Sequence, residues 1–140
     1  MPSLAATAED QPACHSQEIR LPGSRALDAK ICVVEHMSDH SEYYAEIEGR
    51  LIAGGIDDEV ADGVAGSFHA TPLTLRCPAI LKAPDTVPQG RIEEMRRNRP
   101  NSSDDELRRM AIMADTVETG RECSLRAANL VELMRVRIWH

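Results

Sequence analysis

The chain has 140 residues, 28% of them charged and 3% aromatic, with a formal net charge of −7. One domain is the ordinary content of such a length, and an acidic balance excludes a chain drawn as a whole to nucleic acid or to an anionic membrane. Only four aromatic side chains are present, Tyr43, Tyr44, Phe68 and Trp139, so Leu, Ile, Val, Met and Ala must fill the core, which favours helices over a sheet sandwich.

In chain order, residues 1–23 mix Ala, Pro, Ser and charges without a period and read as an arm, flexible or packed on a partner. The first twenty residues have no charged start followed by an apolar run, so a cytoplasmic location is expected. A periplasmic or secreted location is the alternative for a chain whose signal peptide has been removed. A helix is expected from Ser24 to about Ala53, ending at Gly54-Gly55. Its apolar stripe is Val33, Met37, His40, Tyr44, Ile47 and Leu51, at spacings of three and four. A short helix follows from Asp57, with Asp57 as its cap and Asp58 and Glu59 in its first turn.

Prolines at 72, 78, 84 and 88 then exclude a long helix or a central strand, and the piece "TPLTLRC" reads as a short strand or one helical turn. A helix over 91–98 precedes Pro100. The run "SDDE" at 103–106 is a capping box, with Ser103 covering an orphan amide and Glu106 reaching back. From Asp104 a stripe of Met110, Met113, Val117, Gly120, Ser124, Ala127, Val131, Met134 and Ile138 predicts a long C-terminal helix, or a helical hairpin broken at 118–122. The expected architecture is mostly α: one small helical bundle over 24–140 with an irregular Pro-rich middle segment. No run approaches the ~18 apolar residues of a membrane-spanning helix.

Three sites carry chemistry. His36 and His40 stand four apart with Asp39 between them. On a helix their nitrogens would share one face, and with the carboxylate they could ligate zinc or another divalent metal. The simpler expectation is two helix-face histidines, His40 packing in the apolar stripe, with no cofactor and no functional metal site. Arg91, Arg96, Arg97 and Arg99, with Arg108 and Arg109, form a basic cluster. It could face an acidic protein partner or phosphate, but the interleaved Glu93, Glu94, Asp104, Asp105 and Glu106 make a salt-bridged surface the simpler expectation. Cys14, Cys32, Cys77 and Cys123 are widely spaced, so zinc-binding pairs are excluded. Buried thiols are expected, two disulfides with three possible connectivities being the alternative. Cys77 with His69 is a further conceivable pair.

Charge is polarised. Residues 1–70 carry 4 basic and 13 acidic side chains, net −9, and residues 71–140 carry 12 and 10, net +2. The function expected is therefore a non-catalytic interaction protein working through protein–protein contacts: an accessory subunit, an inhibitor or immunity protein, or a small regulator. A metal-binding protein using His36, Asp39 and His40 is the second expectation, and a nucleic-acid-binding regulator using the Arg cluster at 91–109 the third.

Overall fold

A computed structural model describes residues 12–36, 40–128 and 130–139. Strands hold 54% of the described residues and helices 21%, so the chain is mostly β and the expected all-α bundle is wrong. Contacts divide the chain into two units, Met1–Ala79 with Arg121–His140, and Ile80–Gly120.

The first unit opens with an antiparallel meander of β1 (Ala13–Arg20), β2 (Ala26–Glu35), β3 (Ser41–Ile47) and β4 (Arg50–Ile56). β1 thus lies within the expected arm, whose residues 1–11 fall outside the described residues. The expected helix over 24–53 is instead β2, β3 and most of β4. The cause is an ambiguity of period. Residues four apart share a face on a helix and on a strand alike, so spacings of four could not tell the two apart. The two-residue alternation of Leu27, Ala29, Ile31 and Val33, all buried, is the strand signal. The turn Glu48-Gly49, with φ of 51° and 78°, closes Ile47 against Arg50 as a two-residue hairpin. A bulge between Ala45 and Glu46 leaves Ile52 as the extra residue, so Ile52 and Ala53 are both buried.

Helix α1 (Asp57–Asp62) follows. Ile56, not Asp57, holds the cap position, and Asp57 Oδ1 instead accepts from the Ser41 amide at 3.2 Å. β5 (Val64–Phe68) and β6 (Thr71–Arg76) then form a hairpin, and β6 pairs on its other side with the end of β8 (Val117–Ala127). So "TPLTLRC" supplies a central strand. Pro72 is tolerated because it stands at the last rung beside β8, where its carbonyl still accepts from the Ala128 amide at 2.9 Å. β9 (Val131–Trp139) pairs with β8. The expected C-terminal helix therefore stops at Asp115 and gives way to a hairpin. The β-branched run Thr116, Val117 and Thr119 favours the change.

The inner faces of the two sheets meet in one core of Leu27, Ile31, Val33, Tyr43, Ile47, Phe68, Leu73, Leu75, Leu125, Met134 and Ile138. Truncating a residue such as Leu75, fully buried, to Ala costs about 2–5 kcal/mol. β5 crosses so close to β4 that a Cβ at Gly66 would stand 1.8 Å from the Ile52 carbonyl oxygen, so only glycine fits there. Two disulfides staple this unit. Cys14–Cys32 joins residues directly opposite on β1 and β2, and Cys77–Cys123 continues the β6–β8 register by one step. The expected free thiols are thus absent, and Cys77 is no partner for His69.

The second unit holds all but the first residue of β7 (Ala79–Lys82), α2 (Gln89–Arg96), α3 (Asp104–Asp115) and the start of β8. α2 lies two residues before the helix expected over 91–98, and α3 starts at Asp104 as expected but ends at Asp115. Ser103 Oγ accepts from the Glu106 amide at 3.2 Å, the first half of the capping box. Ile92, Leu107 and Ala111 are its buried side chains. Among the described residues no helix is long and apolar enough to cross a membrane.

Candidate functional site

β2 and β3 pair with a constant offset: Lys30 opposite Glu46, Cys32 opposite Tyr44, Val34 opposite Glu42, Glu35 opposite Ser41. One residue further, that register sets His36 against His40, and the His36 amide donates to the His40 carbonyl at 3.0 Å. Strand side chains alternate between faces, so Val34, His36, His40 and Glu42 share the face turned away from the core. Directly opposed residues in such a ladder have Cβ atoms about 5 Å apart. Accordingly the two imidazoles stack, with centroids 4.6 Å apart and planes 19° from parallel.

Glu42 completes the group. Its Oε2 lies 3.1 Å from His36 Nε2, an ion-pairing distance. Nε2, although shielded from solvent, has no hydrogen-bond partner among the described residues. One ligand atom from each of His36, His40 and Glu42 falls within 4.8 Å of the other two. The histidine pair singled out on helical spacing is thus brought together by strand register. Asp39 lies outside the described residues. Glu42 was missed, and the signal that finds it is the two-residue period of "SEYYAEI", which puts it on the face of His40.

The same face continues into a groove of about 580 Å³ lined by Tyr44, Leu51, Gly54, Gly55, Ile56, Glu42, Glu46 and Glu59. Leu51 is 70% exposed and Ile56 47%. Gly54 sits beside Tyr44, so the ring has no neighbouring side chain on that flank. An apolar floor with a carboxylate rim results.

Two other charged groups serve the fold. Arg121, 5% exposed, donates to the carbonyls of Asp57 and Cys77, each at 2.9 Å, and its guanidinium stands 5.4 Å from the centre of the Tyr43 ring. It satisfies backbone acceptors at the start of α1 and at the Cys77 disulfide. On the β8–β9 hairpin, Glu122 accepts from Arg135 at 2.5 Å and Arg137 at 2.9 Å, and Glu132 from Arg135 at 2.6 Å. The Arg137 hydrogen bond, first among several contacts, holds Glu122 below the usual carboxylate range, and Arg135 does the same for Glu132. Arg135 lines a cleft of about 600 Å³ with Arg76, Arg126, Asp62 and Glu122, where each guanidinium already meets a carboxylate or a carbonyl.

In the second unit, Arg91 binds both oxygens of Asp115, at 3.0 and 3.2 Å, which raises its pKa further. Arg96 pairs with Asp104. Arg97 caps α2 at its C-terminus and, like Arg99, is exposed. His69, at the tip of the β5–β6 turn, packs edge-on to Phe68, away from any cysteine thiol. Comparison with protein-family models, with curated proteins and with solved structures finds no match.

Proposed function

We propose that this chain is a disulfide-stapled β-protein that acts as a non-catalytic interaction protein, binding a basic segment of a partner on the outer face of its first sheet. The observation that carries this reading is the groove over β3 and β4. Leu51, Ile56 and Tyr44 expose apolar surface there, ringed by Glu42, Glu46 and Glu59. An apolar patch with a rim of one charge sign suits a partner of the opposite sign with apolar anchors. The first half of the chain, net −9, supplies the long-range field. With all four cysteines bonded, none serves as a thiolate nucleophile. Disulfides persist in oxidising compartments, which supports a periplasmic, secreted or comparable location rather than the cytoplasmic one expected from the N-terminus.

The test uses short extended peptides in which Arg or Lys alternates with Leu or Val, with acidic counterparts as controls. The basic peptides should bind, and their association should slow as salt rises toward a Debye length of about 10 Å at 0.1 M. Leu51→Asp and Glu59→Lys should each remove binding. Equal binding by acidic peptides, or retention in both variants, would overturn the reading.

A further inference from the structure

We infer that His36, His40 and Glu42 form a binding site for a divalent transition metal of the zinc class, at the end of the β2–β3 hairpin. This site goes beyond the partner face and shares Glu42 with the rim of that groove.

The ligand set is borderline in hardness, two imidazoles and one carboxylate, which suits Zn²⁺, Ni²⁺ and Cu²⁺ and disfavours Mg²⁺ and Ca²⁺. The distances are close to what such an ion needs, while the imidazoles, stacked 19° from parallel, must turn to aim both nitrogens at one ion. With metal–ligand bonds of about 2.0–2.2 Å at a tetrahedral angle, ligand atoms stand about 3.3–3.5 Å apart. His36 Nε2 and Glu42 Oε2 are already at 3.1 Å, and all three ligand atoms lie within 4.8 Å.

His36 Nε2 is shielded and has no hydrogen-bond partner among the described residues, although Glu42 Oε2 lies 3.1 Å away. An ion between them would satisfy both. The backbone holds the donors in place. His36 and His40 are closed against each other by the 3.0 Å amide–carbonyl bond, and Glu42 sits in the ladder opposite Val34. The strand frame also removes the reason for reading His40 as packing in a helical apolar stripe, because the flanking stretches Ala26–Glu35 and Ser41–Ile47 are strands. Three protein ligands leave one position open, and the side chains of His36 and Glu42 are 30% and 51% exposed, so water or a group from a bound molecule can fill it.

The experiment is calorimetric titration of the chelator-treated protein, disulfides intact, with Zn²⁺ and separately with Mg²⁺. One Zn²⁺ per chain should bind, and Mg²⁺ should not. His36→Gln, His40→Gln and Glu42→Gln should each weaken Zn²⁺ at least tenfold, while His15→Gln and His69→Gln leave it unchanged. Cu²⁺ loaded in place of Zn²⁺ should show two coordinated nitrogens by electron paramagnetic resonance, and one after either of the first two substitutions. Zn²⁺ should also protect His36 and His40 of the parent chain from acylation, a readout that needs no variant. Zn²⁺ binding unchanged in a His36→Gln, His40→Gln double variant, or absence of protection, would overturn the site. Leu51→Asp should keep Zn²⁺ binding, which separates failure here from failure of the partner face.

Discussion

Glu122 shows how single contacts set charge on this surface. It receives hydrogen bonds from Arg135 and Arg137, and the Arg137 bond is the leading cause of its lowered pKa. A carboxyl with a depressed folded pKa stabilises the fold fully above its unfolded value and loses that contribution as pH falls through the folded one. Stability should therefore decline on acidification through this window. The Glu122 side-chain carbon should titrate at a higher pH in Arg137→Ala than in the parent, measured by nuclear magnetic resonance. Equal midpoints would show that the Arg137 bond is not formed. Arg121 lives at the same scale and was invisible in the sequence, where it is one of 16 basic residues. Its burial follows from two backbone carbonyls and an aromatic ring that only the fold brings to it.

At the scale of elements, the two tight hairpins make a natural comparison. Both use two-residue turns with positive φ at both positions. One carries Gly49 at its second position, while the other carries His69 and Ala70, at φ of 47° and 65°. The left-handed region costs a Cβ-bearing residue about 1–2 kcal/mol, and Asn-Gly is the favoured pair for such a turn. Ala70→Gly should therefore raise stability, by up to about 1 kcal/mol after the entropy glycine adds to the unfolded chain. Chemical denaturation checks it, and a lower midpoint would mean that the turn adopts another form. The helices α2 and α3 were legible because their signals are local, the cap at Ser103 above all. The strands were not, since glycines 54 and 55 read as helix punctuation although they belong to β4.

At the scale of the whole molecule, the disulfides close loops of different length, with sequence separations of 18 for Cys14–Cys32 and 46 for Cys77–Cys123. In the chain-entropy account these contribute about 3 and about 4 kcal/mol. Replacing Cys77 and Cys123 by Ala should thus lower the denaturation midpoint more than replacing Cys14 and Cys32. The reverse order would show that packing around the bonds, rather than loop closure, governs their effect. A chain with few aromatic residues gains from such staples, because its core of aliphatic side chains contains only Tyr43 and Phe68 as large rings.

The sequence by itself determined what neighbouring residues decide: the acidic first half, the start of α1 near Asp57, α2, the capped start of α3 and the interest of His36 with His40. Tertiary structure alone decided the two sheets, the pairing of the cysteines, the recruitment of Glu42 and the burial of Arg121. The physical reason is range. A cap or a helical turn is settled within a few residues, whereas strand pairing joins Cys77 to Cys123 and sets Leu73 opposite Ala127. A four-residue spacing fits helix and strand equally, and only the long-range register chooses between them.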